Sequence, residues 1–184
     1  MNHFEKVCML AELTGNTPTV KKICFDMDGT IADLYGVENW LEMLRNYDPT
    51  PYIYAQPMVN PTELANLLNT AIENGIEVEI ITWLSKESTK EYDEMVREAK
   101  KIWLDLFNIP YTNFHGVKYG TTKANTIRKE LNWQDCETAI LFDDNAQVRK
   151  GWHLGHAYDP AVFDICEVLR KVLGGVSGKF RSTP

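Results

Sequence analysis

Apolar and polar residues recur along this chain with two periods, and the switches between them mark its elements. Ile23, Cys24 and Phe25 form a short apolar run ending at Asp26, the pattern of a buried parallel strand whose carboxyl end opens onto polar residues. Asn60-Pro61-Thr62-Glu63 supplies an N-cap, a proline at the first helical position and an acid in the first turn, and Leu64, Leu67, Leu68, Ala71 and Ile72 follow at helical spacing until Gly75. Ile76 to Thr82 predicts a second strand. From Ser88 a long helix carries Tyr92, Met95, Val96, Ala99, Trp103 and Leu106 on one stripe, with Pro110 just past its end. Asn113 to Val117 predicts a third strand and Lys123 to Leu131 a helix. Ala139 to Phe142 is a fourth strand running straight into Asp143 and Asp144. A short fifth strand around Ala157 and Tyr158 and a closing helix from Ala161 to Leu173 complete the pattern.

Strands alternating with helices predict an α/β chain: a Rossmann-like three-layer sandwich with a central parallel sheet of about five strands. Residues 19–173 form one domain, with a small insert around 34–60, an N-terminal extension over 1–18 and a flexible glycine-rich tail over 174–184. Ligands of such sheets bind beyond the carboxyl ends of the strands, near the point where strand order reverses. Both acidic pairs, Asp26/Asp28 and Asp143/Asp144, fall at such ends.

Composition narrows the function classes. With 184 residues, 44% hydrophobic and 24% charged, the chain can bury a core without staples. A net charge of -7 weighs against holding nucleic acid through a basic surface and favours a small substrate. Cys8, Cys24, Cys136 and Cys166 lie far apart and read as reduced thiols. The amino terminus lacks a secretory pattern and no apolar run is long enough to cross a bilayer, so a cytoplasmic protein without membrane contact is expected.

Four carboxylates converging at strand ends repel by about 4 kcal/mol per pair at 4 Å with an effective dielectric near 20. A cation must therefore join them. Mg2+ suits, being held by one or two carboxylates with waters and substrate phosphate completing its shell. Mg2+ and one lysine would make room for a dianionic phosphate.

The chain resembles the haloacid dehalogenase-like (HAD) phosphohydrolase superfamily, and among its small-cap members the 5'(3')-deoxyribonucleotidase-like and phage or bacterial hydrolases. The resemblance rests on Phe25-Asp26-Met27-Asp28-Gly29-Thr30 after the first strand, Thr82 after Ile80-Ile81, Lys123 before a helix, and Phe142-Asp143-Asp144 after the fourth strand, in that order. It implies a Mg2+-dependent phosphomonoesterase in which Asp26 is the nucleophile that forms an aspartyl-phosphate and Asp28 is the acid and base. It implies that Thr82 and Lys123 bind the phosphoryl group, with Trp83 beside Thr82 in the substrate-binding set. Asp26, Asp143, Asp144 and the backbone carbonyl of Asp28 would hold the metal, Gly29 would permit a tight loop and Thr30 would brace it. Carbon-halogen cleaving members lack an acid at the position of Asp28, and ion-pumping members carry a lysine where this chain has Met27. The implied substrate is a nucleotide or another small phosphorylated metabolite. A polynucleotide 3'-end, a phosphoprotein or a catalytically silent binding role are the alternatives.

Several residues admit two readings. Lys118 competes with Lys123 as the phosphate-binding lysine, and Lys123 is favoured because it opens a helix. Gly120-Thr121-Thr122-Lys123 lacks the upstream glycine spacing of a phosphate-binding loop. His153 and His156 read as packing residues rather than metal ligands. Tyr35, Trp40, Tyr47, Tyr52 and Tyr54 fill the insert, either to pack it or to stack on a nucleobase.

Overall fold

A computed structural model describes residues 20–87, 89–131 and 138–177. The N-terminal extension, the chain beyond Ser177, Cys8 and Cys136 lie outside the described residues. Five parallel strands form the central sheet: β1 (Lys22–Phe25), β4 (Glu77–Trp83), β5 (Asn113–Val117), β6 (Ala139–Phe142) and β7 (Ala157–Tyr158), ordered β5-β4-β1-β6-β7. From β1 the chain steps outward through β4 to β5, then returns to the other side for β6 and β7. Strand order therefore reverses between β1 and β6, the two strands that end at Asp26 and Asp143.

Alternate residues of these strands serve opposite faces of the sheet. Ile23, Phe25, Val78, Ile80, Ile140 and Phe142 join Leu64 and Leu68 of α3 (Pro61–Glu73), Trp103 of α4 (Lys90–Leu106) and Leu169 of α7 (Ile165–Ser177) in the larger core. Cys24, Ile81, Ala139 and Leu141 face α5 (Lys123–Ile127) and Trp152, which follows α6 (Ala146–Gly151). Both faces are covered, which explains why β1 and β6 read as continuous apolar runs. Glu79 is fully buried on the second face, where Lys22, His115 and Asn113 hydrogen-bond its carboxylate. Cys24 and Cys166 are buried free thiols, as expected. No helix among the described residues is long and apolar enough to cross a membrane.

The segment after β1 leaves the sheet and returns. Its base is closed by β2 (Ala32–Asp33) against β3 (Gln56–Pro57), an antiparallel pair, and between them lie a 3-10 turn at Leu34–Gly36 and two short helices, α1 (Trp40–Arg45) and α2 (Thr50–Tyr54). Leu34, Leu44 and Tyr52 pack with Leu84 and with Tyr92, Val96 and Ala99 of α4. Trp103 donates to the Ala55 carbonyl at 2.7 Å, and the Tyr92 hydroxyl donates to that of Asp48 at 3.2 Å. One long helix thus pins the insert to the sheet.

Three helices differ from their sequence-predicted forms. α4 starts at Lys90, where the Thr89 side chain accepts from the Tyr92 amide, and its buried face is rotated. Met95 and Leu106 are exposed, whereas Lys100 and Leu104 are buried, because the helix must face the insert and the sheet at once. α5 ends at Ile127 and tightens into a 3-10 turn at Arg128–Glu130. α7 begins at Ile165 rather than Ala161, since Asp164 accepts from the Glu167 amide while Val162 and Phe163 are held in a turn on the Asp159 carbonyl. It runs on through Gly174 to Ser177.

Candidate active site

Because β1, β4 and β6 are parallel, their carboxyl ends lie on one edge of the sheet, and the residues that follow them meet there. Asp26 and Asp143 each continue a fully buried strand. Side-chain oxygens of Asp26, Asp143 and Asp144 all fall within 4.8 Å of one another. Lys123, at the start of α5, is 1% exposed and sets its ammonium 2.8 Å from Asp26 Oδ1 and 2.7 Å from Asp143 Oδ2. Lys118 is exposed.

The loop between β1 and β2 owes its shape to two residues. Gly29 has φ +77°, and a Cβ there would lie 2.6 Å from Asp144 Oδ2 and 2.8 Å from the Tyr35 ring, so only glycine fits. The Thr30 hydroxyl accepts from the Asp144 amide at 3.1 Å, tying this loop to the one after β6. That second loop is braced in turn by residues the sequence did not single out. Asn145 caps α6 and donates its amide to Asp143 Oδ1 at 2.9 Å. Arg149 donates to the carbonyls of Asp143 and Asp144 and is ion-paired with Asp159.

Asp28 stands apart from the three-carboxylate group. Its Oδ2 accepts from Lys100 Nζ at 2.6 Å, and Lys100 also donates to Thr82 Oγ1 at 2.7 Å and to the Trp83 carbonyl at 2.9 Å. Lys100 is the residue sequence reasoning missed. Its signal was present, as a lysine four residues after Val96 and three before Trp103, inside the buried stripe of α4. The adjoining Lys101, half-buried and paired with Glu98, hid it by making the two look like one solvated pair.

The electrostatics follow from this crowding. Burial pushes the Asp143 carboxyl up to about 6, Lys123 opposes the rise and Asp26 reinforces it. Burial likewise raises Asp28, against the pull of Lys100 and with repulsion from Asp26. Burial alone would lower the Lys123 ammonium, but Asp26 and Asp143 outweigh it and hold it above its ordinary value. Three clustered carboxylate oxygens are the donor type that a hard divalent ion prefers, so the residues fit Mg2+. Lys100 and Lys123 together with such an ion would balance the four carboxylates, one positive charge more than the sequence alone had counted.

Above this floor lies a cleft of about 340 Å3. Asp26, Asp28 and Asp144 line it on one side, Tyr35, Trp40 and Tyr52 of the insert on another, and Trp83 and Tyr119 on a third. Tyr35 meets Trp40 edge-on at 5.1 Å, and Trp83 lies 5.0 Å from Tyr119 and 5.3 Å from the Lys123 ammonium. The aromatic residues of the insert are placed differently. Tyr52 is buried beneath the Lys100 ammonium while still lining the cleft, Tyr47 packs on Tyr92, and Tyr54 is exposed away from it. His153 bonds to Arg128 and His156 packs on Tyr158, and neither joins a metal-ligand group among the described residues.

No protein-family model matches the chain. No curated protein matches it either. Among solved structures, a chain of the Pnkp1/Rnl/Hen1 RNA repair complex superposes with a TM-score of 0.52 at 18% identity, over 76% of this chain and 42% of that one. The N-terminal part of a Bacteroides fragilis protein, containing a phosphatase domain complexed with Mg, gives 0.49 at 17% identity, over 93% and 43%. The 3-deoxy-D-manno-octulosonate 8-phosphate phosphatase of Moraxella catarrhalis, in complex with a magnesium ion, a phosphate ion and a KDO molecule, gives 0.46 at 13% identity, over 96% and 97%. This chain spans less than half the length of the first two. At 18% identity the first of these is a likeness of fold alone. The chain shares a fold with the matched part of the RNA repair complex, an α/β architecture built on a five-stranded parallel sheet.

Proposed function

We propose that this chain is a Mg2+-dependent phosphomonoesterase working through an aspartyl-phosphate on Asp26. The observation that carries the reading is the bridge Asp26–Lys123–Asp143, with Asp144 beside it, at the floor of an open cleft. Asp26, Asp143 and Asp144, with the backbone carbonyl of Asp28, would hold Mg2+, which supplies charge neutralisation for an incoming phosphate dianion. An Asp26 oxygen bonds to phosphorus as the bond to the leaving oxygen breaks, and that oxygen takes a proton from Asp28. A water then bonds to the same phosphorus and gives its proton to Asp28, and Asp26 is released. Lys123 and Thr82 bind the transferred group, the lysine as a buried fixed charge. Gly29 and Thr30 keep the two acidic loops in contact.

A small substrate with a flat ring, a nucleotide above all, is supported by the aromatic side chains facing the cleft. A second reading, a phosphate on a polynucleotide end, is favoured by the openness of the same cleft and by Arg45 and Lys86 on its border, where a further phosphate could rest. Phosphate release with Mg2+ from nucleoside monophosphates, sugar phosphates, 3'-phosphorylated oligonucleotides and a phosphopeptide separates these substrates. Activity surviving Asp26→Asn would overturn the nucleophile, and inactivity of the wild type throughout would leave a binding role.

A further inference from the structure

Lys100 is 0% exposed, and its three ammonium protons are all engaged: by Asp28 Oδ2, Thr82 Oγ1 and the Trp83 carbonyl. The ammonium also lies 4.6 Å from the centre of the Tyr52 ring, which closes its fourth side. A buried charge with this many partners is held in one place. It stands apart from Lys123, which serves Asp26 and Asp143.

The chemistry of donors and acceptors gives this placement two consequences. A lysine ammonium only donates, so Thr82 Oγ1 accepts from it, and the threonine's own proton must find a different acceptor. The Trp83 carbonyl is 3.5 Å away, long for an O–H···O bond, and it already receives Lys100. That proton is left for a phosphoryl oxygen. Asp28 has Oδ2 committed to Lys100, so Oδ1 is the oxygen free to face the leaving group, with the carboxylate locked against rotation. When Asp28 gives up its proton, the negative charge forms beside a cation already in position.

We propose that Lys100 is a positioning residue for the reaction, orienting Asp28 for proton transfer and Thr82 as a hydrogen-bond donor to the phosphoryl group. The inference rests on the phosphatase reading and goes beyond it, since the residue touches neither the metal-binding carboxylates nor the nucleophile. Its mark is leaving-group dependence. A poor leaving group, such as the alkoxide of a sugar phosphate, needs its proton from Asp28, whereas 2,4-dinitrophenolate departs without one.

The test compares wild type with Lys100→Met, which keeps most of the buried stem, using a sugar phosphate and 2,4-dinitrophenyl phosphate at saturating Mg2+. For the sugar phosphate kcat should fall on the order of 100-fold and for the activated ester less than about 10-fold, with KM nearly unchanged. Equal losses on both substrates, in a variant whose circular dichroism and melting are those of a folded chain, would overturn the role and leave the phosphatase reading standing. If Lys100→Met does not fold, Lys100→Arg, which keeps the charge and moves the donors, is read by the same contrast. A wild type inactive on both esters would overturn the phosphatase reading, and this role with it.

Discussion

A Cβ added to Gly29 would lie 2.6 Å from Oδ2 of Asp144, so the first acidic loop approaches the last too closely to carry a side chain there. The positive φ of Gly29 and its packing against Tyr35 make the position doubly restrictive. Gly29→Ala is expected to destabilise the chain by about 1–3 kcal/mol, the usual range for a non-glycine residue forced into such a conformation. It should also raise the Mg2+ concentration needed for half-maximal activity, because Asp144 must give way. Denaturant melts and a Mg2+ titration check the two parts separately.

Lys123→Met removes the cation shared by Asp26 and Asp143 and leaves two buried carboxylates facing each other. Activity should drop by roughly 100- to 1000-fold, as when one preorganised charge-stabilising group is lost. The exposed Lys118 is the control. Lys118→Ala should change kcat/KM less than about twofold, and the opposite ranking would exchange the two lysines.

Glu79 couples stability to pH away from the cleft. Burial pushes its carboxyl up, but hydrogen bonds from His115, Lys22 and Asn113 outweigh that and hold it at about 2, against an ordinary 4.5. A carboxyl lowered in the folded state contributes stability that is fully present above the unfolded value and is lost as pH falls through the folded one. Urea midpoints should therefore decline from about pH 4.5 down to pH 2, with a contribution on the order of 3 kcal/mol from this group. In Glu79→Gln that part of the decline should disappear.

Tyr119 is 58% exposed and its ring lies tilted against that of Trp83 at the border of the cleft. If a nucleobase rests on this pair, Tyr119→Ala should raise KM for a nucleoside monophosphate about tenfold, from a stacking contribution of roughly 1–3 kcal/mol, while kcat holds. KM for a sugar phosphate should not move. Equal KM changes for the two would remove the base from this wall.

The chain's linear order was enough to predict the alternation of strands and helices and the positions of Asp26, Asp28, Asp143 and Asp144, because strand ends show as apolar runs breaking into acids. Cap signals were legible too: Asn60 and Pro61 opened α3 where expected. Boundaries set by long-range contacts were not. α7 starts after a turn built on Asp159, which a helical pattern beginning at Ala161 does not reveal. The face of α4 went astray for a related reason. Helical spacing defines a stripe about one element's axis, but Met95 or Lys100 becomes the inward residue according to where the insert and the sheet stand around that axis.

The sequence by itself determined which acids could gather, the fold that gathers them and the class of ion they would attract, since each depends on residue type and on order along the chain. Only the tertiary structure decided which cations answer them. Lys123 reaches Asp26 and Asp143 because α5 begins beside β1 and β6, and Lys100 reaches Asp28 and Thr82 because the insert turns α4 inward. A charge is buried only where its partners are already waiting, and that meeting across 72 residues, from Asp28 to Lys100, is written in no local pattern.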